Sequence, residues 1–244
     1  MTRTIRIWCF LLACSAYVLA APFNHQGLTE VLRDHVVNGK VDYGGIRRDR
    51  WKELKAYIES LGQANPDRFS HPEQVAFWLN AYNALVIERI CEGASPDSAL
   101  SRGSFFRRTT FLVAGQQRSL DDIEHRALRP LAKDPRVHFV LVCGANSCPP
   151  LRASAFSAGG ELETELENAA RRYVNDPKNV NIDFNGRKII LNQIFDWYKE
   201  DFGEILPFLA RYRPASERVQ LLQGEWEIDY NEYDWSTNQS PQPD

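Results

Sequence analysis

The chain has 244 residues, 43% of them hydrophobic and 25% charged, a composition that fits a folded domain with a sizeable core and excludes global disorder. Its formal net charge of −3 disfavours a nucleic-acid partner. No internal repeat, domain linker or low-complexity stretch interrupts it.

Residues 1–20 carry Arg3 and Arg6, then an apolar run from Ile7 to Leu19, then Val18-Leu19-Ala20 before Ala21-Pro22. This is the layout of a secretory signal peptide cleaved after Ala20, and it implies a periplasmic or extracellular location. About thirteen apolar residues fall short of the roughly 20 that cross a bilayer, so the mature chain is expected to have no transmembrane span. Lipoprotein anchoring through Cys14 is a minor alternative. Of five cysteines, Cys9 and Cys14 leave with the signal. Cys91, Cys143 and Cys148 remain, an odd number that requires at least one free or intermolecular thiol in an oxidising compartment.

A single globular domain is expected over 21–235, with 236–244 as a disordered tail. Leu28, Val31, Leu32, His35 and Val36 recur at helical spacing up to Asn38-Gly39, and Trp51, Leu54, Tyr57, Ile58 and Leu61 mark a second amphipathic helix. His35 and the exposed His71 read as structural. Ser70-His71-Pro72-Glu73 is a helix-start signature with Ser70 as cap and Glu73 three residues on. The helix over 74–90 is apolar nearly all round, which predicts a buried central helix. Its Asn80 and Asn83 share a face and must find partners, either fastening neighbouring loops or orienting a catalytic group.

Further on, Thr109 to Val113 and Gln116 to Leu120 flank Ala114-Gly115 as a hairpin. Ser119 caps a short helix carrying Glu124 and His125. The run Val137 to Val142 is apolar and β-branched, and it stops at Cys143-Gly144, so 136–151 reads as a buried strand ending in a cysteine-bearing turn. A helix follows over 161–173. A second hairpin spans Asn179 to Leu191 around Asn185-Gly186. Helices at 193–198 and 205–212 and a final strand within 225–235 complete the chain.

The chemistry centres on the cysteine turn. A thiol attacks as its thiolate, which a helix N-terminus or a neighbouring histidine favours. Cys148 before Pro149-Pro150 reads as the start of such a helix, and Cys143-Gly144 as a turn whose N–H groups form an oxyanion nest. His138 and Cys143 fall on opposite faces of a period-2 strand, which favours His125 as the base. Alternatively Cys143 and Cys148 form a disulfide. A zinc site is disfavoured by the lack of a second closely spaced ligand pair.

The stretches FWLNAYNALVI, SLDDIEHRALR, HFVLVCGANSCPPLR, LNQIFDWYKEDFG and YNEYDWSTN together resemble the domain of unknown function 547 family, over about residues 27 to 238. The resemblance implies exported bacterial members, plant relatives fused to leucine zippers, and no settled activity. Asn80, Asn83, Glu124, His125, His138, Cys143 and Cys148 fall on its motif positions.

These readings combine into an α+β domain with a small mixed sheet and a buried Asn-bearing helix behind the cysteine loop. The expected function is a thiol-dependent hydrolase or acyl transferase acting on a small-molecule or peptide substrate, with no cofactor. Cys148 is its nucleophile, His125 its base, Glu124 or Asn83 the orienter, and Cys143-Gly144 the oxyanion donor, with His138 nearby. The alternatives are a disulfide-stabilised binding module for an envelope partner and a thiol redox protein using Cys143 and Cys148.

Overall fold

The computed structural model describes residues 21–157 and 161–240. The segment read as a signal peptide, Cys14 included, lies outside the described residues.

Leu28, Val31 and Leu32 form the buried face of α1 (Gln26–His35). Asn38 and Gly39 both take positive φ, 51° and 80°, and turn the chain between β1 (Val36–Val37) and β2 (Lys40–Val41). After α2 (Tyr43–Asp49), α3 (Trp51–Gln63) buries Leu54, Tyr57 and Leu61. His35 packs in this layer, buried beside Asp42, whereas His71 is exposed.

The axis of the fold is α4 (His71–Cys91). It starts with the capping box of Ser70 and Glu73 and with Pro72 in the first turn. Every residue from Val75 to Glu88 is buried, as an apolar perimeter on a helix requires. Asn80 and Asn83 are 1% and 3% exposed and serve the neighbouring backbone: each amide both donates to and accepts from the main chain of one neighbouring segment.

A short α5 (Ala99–Gly103) runs into a π-helical turn over Ser104–Arg108. The hairpin of β3 (Phe111–Val113) and β4 (Gln116–Arg118) turns on Ala114 and Gly115, both at positive φ. Ser119 then caps α6 (Leu120–Asp122), which opens into a second π-helical turn, Ile123–Leu128, before α7 (Arg129–Ala132). Beyond the cysteine loop come α8 (Leu162–Asn175) and the hairpin of β5 (Val180–Asp183) and β6 (Lys188–Leu191). The helices α9 (Ile194–Trp197), α10 (Lys199–Phe202), α11 (Ile205–Tyr212) and α12 (Ala215–Leu221) lead to β7 (Glu227–Tyr230). β5 is antiparallel and β7 parallel to β6, which makes the small mixed sheet of an α+β domain.

Two expectations are corrected. The apolar run before Cys143 is not a strand: Pro135–Phe139 is a 3-10 helix, and Val140 to Cys143 continue without a strand partner among the described residues. An apolar run signals burial on both sides, not a ladder. Here the Asn83 amide takes the place of a neighbouring strand, donating to Val140 O at 3.0 Å and accepting from Val142 N at 2.9 Å. The tail is also ordered further than its polar composition suggests, through Ser240. Asn238 N donates to Gly144 O and Val41 N to Asn238 O, so residues 236–240 cross between the cysteine loop and β2. Residues 241–244 lie outside the described residues.

Among the described residues no helix is long and apolar enough to cross a membrane.

Candidate functional site

A cleft of about 330 Å³ opens where α4, both π-helical turns, the cysteine loop, α9 and the C-terminal segment meet. Cys143, Cys148, Glu124, His125 and His138 all line it. Asn83 does not line it; from behind, it fixes the backbone that leads into Cys143.

The cysteine loop is built around close approach to α4. Gly144 has φ +86°, a conformation that favours glycine, and a Cβ there would stand 2.4 Å from Ile90 Cδ1, so any other residue would be strained and would have to displace the Ile90 side chain. A disulfide joins Cys143 and Cys148, with Cα atoms 6.1 Å apart. Cys148 N donates to Ala145 O within the loop. From outside, Asn146 N donates to Ser236 O at 2.8 Å and Ser147 N to Asp234 O at 3.1 Å. The same C-terminal segment places Tyr233 over the sulfurs: its hydroxyl donates to Cys148 Sγ at 3.2 Å and lies 3.3 Å from Cys143 Sγ. Cys143 N donates to Cys148 Sγ at 3.0 Å.

Several chemical expectations change accordingly. With both sulfurs in the disulfide, Cys148 carries no thiolate in this form, and the alternative pairing is the one the structure holds. No helix follows Cys148 either, because Pro149 and Pro150 belong to no helix or strand and the next described helix is α8. The Cys143 N–H is turned onto sulfur and is not a free oxyanion donor. His138 and Cys143 face one cleft after all, since period-2 alternation does not apply to a 3-10 helix. Cys91 is free and buried, its thiol pushed up to about 12 by burial.

Glu124 and His125 sit on the π-helical turn, where Arg129 N bonds to Glu124 O, five residues back. Pro130 follows directly. Its ring lacks an N–H and clashes with the carbonyl of an α-turn, which favours the wider one. The turn aims Glu124 inward, 7% exposed, toward Tyr198. Burial raises the Glu124 carboxyl pKa against the opposing pull of Tyr198 and His125. Tyr82 and Tyr233 face the same carboxylate, and burial raises both hydroxyls, keeping them donors.

His125 is turned away from sulfur: its Nδ1 accepts from Arg129 Nη1 at 2.7 Å, and Nε2 points to Asp121 Oδ1 at 3.6 Å. Arg129 also grips Asp201 with two bonds of 2.7 and 2.9 Å. Asp201 Oδ2 accepts from His138 Nε2 at 2.7 Å, and the His138 ring stacks on Tyr198 at 3.8 Å. Burial takes His138 down to about 4, and Arg129 foremost holds Asp201 down at about 2. At neutral pH the imidazole is uncharged and donates Nε2–H to the Asp201 carboxylate.

Sequence reasoning missed Tyr82, Tyr198, Asp201 and Tyr233. All four lie in stretches that carry the family resemblance, and that is the one signal pointing to them. Among the described residues no group of three His, Cys, Asp or Glu side chains is arranged to hold a metal ion.

These elements define an α+β domain with a disulfide in the wall of an acid- and tyrosine-lined cleft. The family model described as "Protein of unknown function, DUF547" matches residues 66–174, and that segment supports the resemblance to the domain of unknown function 547 family. The matched segment contains α4, Glu124, His125, His138 and both disulfide cysteines, whereas Tyr198, Asp201 and Tyr233 lie beyond it. No curated protein and no solved structure matches the chain.

Proposed function

We propose that this protein is an exported thiol–disulfide exchange protein whose Cys143–Cys148 pair cycles between disulfide and dithiol. The observation that carries the reading is the position of that disulfide in the cleft wall, under the Tyr233 hydroxyl. As a staple it would do little. So short a loop contributes roughly 2 kcal/mol by chain entropy, and the C-terminal segment already ties the loop down.

In the dithiol form Cys148 is the attacking sulfur, because Cys143 N–H and Tyr233 O–H both point at it and favour its thiolate. Its thiolate attacks one sulfur of a substrate disulfide, forming a mixed disulfide and expelling the first substrate thiolate. Cys143, giving up its proton, attacks Cys148 Sγ, closes the internal disulfide and expels the second. Two electrons and two protons pass from the cysteine pair to the substrate, which leaves as two thiols. A donor dithiol restores the pair by the reverse steps. Glu124, whose carboxyl pKa is raised, is the proton store beside Tyr233.

A hydrolase or acyl transferase is the second reading, favoured by one observation: His125 and Cys148 line one cleft. It needs the reduced form and a His125 released from Arg129.

The test is equilibration with glutathione or dithiothreitol couples, followed by alkylation and mass spectrometry. A midpoint above about −300 mV supports exchange, and a pair that stays oxidised below that value is a structural staple and ends the reading. Export is tested by N-terminal sequencing of protein made in a Gram-negative host. Ala21 is the expected first residue, and an intact Met1 in the soluble fraction removes the signal reading.

A further inference from the structure

We propose that the cleft selects small thiols and disulfides that carry a carboxylate near sulfur, with Arg107 at the rim binding the carboxylate and Trp197 packing against the rest of the molecule. The inference rests on the exchange reading above and names its substrate class.

Three cationic side chains stand at or just behind the cleft, and two are engaged. Arg129 is clamped between Asp201 and His125. Arg102 lies 4.3 Å over the Trp235 ring and donates to Pro96 O at 3.3 Å. Arg107, on the π-helical turn Ser104–Arg108, lines the cleft and has neither an ion pair nor a hydrogen bond among the described residues. The carboxylates that face the same space do not answer it. Asp121 lies beside His125 Nε2, and Glu124 is buried among tyrosines.

An unpaired surface arginine alone would be a solvated side chain. Another lining residue, Trp197, gives it a second term. Trp197 lines the cleft and is 45% exposed although its ring lies 4.7 Å from Tyr233, the residue over the disulfide, and 5.7 Å from Trp235, so much of a large apolar side chain is left open to solvent. Cleft, open aromatic face and unclaimed guanidinium together fit an organic sulfur compound with one anionic end. A fixed positive charge at the rim also raises the local concentration of anionic reagents.

The test uses the reduced full-length protein and two aromatic disulfides of opposite character: the dianion 5,5′-dithiobis(2-nitrobenzoate) and neutral 2,2′-dithiodipyridine. Their rates are divided by those for 2-mercaptoethanol at the same pH. The expected result is a preference of about tenfold for the dianion that falls with added salt, disappears in Arg107→Gln and survives in Arg107→Lys. For each variant the effect is read as the ratio of the dianion rate to the neutral-reagent rate, so that a general change in thiol reactivity cancels. Absence of an anionic preference in the wild type, or its persistence in Arg107→Gln, overturns this inference and leaves thiol exchange standing. Failure of Cys143 and Cys148 to react with either reagent overturns the exchange reading itself.

Discussion

The Tyr233 hydroxyl donates to Cys148 Sγ at 3.2 Å, across 85 residues of sequence. A phenol kept protonated by burial is a fixed donor to whatever charge develops on that sulfur. Tyr233→Phe should slow iodoacetamide labelling of Cys148 at pH 6 by about tenfold in the reduced protein, the loss expected for one hydrogen bond to a charged group. Site assignment by mass spectrometry separates it from Cys143, whose labelling should change little. Equal rates in the variant and the wild type would remove Tyr233 from the chemistry.

Asn83 is the post on which the cysteine loop hangs. Asn83→Leu leaves Val140 O and Val142 N without their partner, at roughly 1 to 3 kcal/mol for each buried group. Urea unfolding should show a loss of this order, and a neutral melt would mean the backbone finds other partners. Asn80→Leu should do the same to Phe156, which its amide holds by N and O.

Stability should fall on acidification in two steps. His138 is taken down to about 4 by burial, below the unfolded value of about 6.5. Its contribution is therefore complete above pH 6.5. Between there and pH 4 the unfolded chain binds a proton that the folded one refuses, and stability drops by up to about 1.4 kcal/mol per pH unit for this group. His25, likewise lowered to about 4 by burial, adds to the same window. Asp201, held down at about 2, extends the loss below about pH 4. Denaturant melts from pH 4 to 7 should show the slope, and His138→Gln should reduce it by one proton's worth. An unchanged slope in the variant would mean that His138 titrates normally.

Removal of residues 234–244 takes away the acceptors at Asp234 O and Ser236 O and the Asn238 bridge to Gly144. The truncated protein should be reduced by dithiothreitol several-fold faster than the intact one, because opening of the cysteine loop is no longer opposed by those bonds. Identical reduction rates would show that the segment is attached but does not restrain the loop.

Local physics was legible in the sequence. The capping box of Ser70 and Glu73, the apolar perimeter of α4 and the turn at Ala114-Gly115 are encoded within a few residues, and each appears where the pattern places it. So does the need of Asn80 and Asn83 for partners, since a buried amide on an apolar helix has no other outcome. What the pattern did not contain is which groups meet. The run Val137 to Val142 announces burial, but the absence of a partner strand and the arrival of Asn83 in its place are tertiary facts. The choice between two thiols and one disulfide depends on the Gly144 turn against Ile90 bringing Cys143 and Cys148 within bonding reach. Tyr198, Asp201 and Tyr233 reach Glu124, His138 and the sulfurs only through packing of distant segments, and no periodicity in a one-dimensional chain records a contact of that kind.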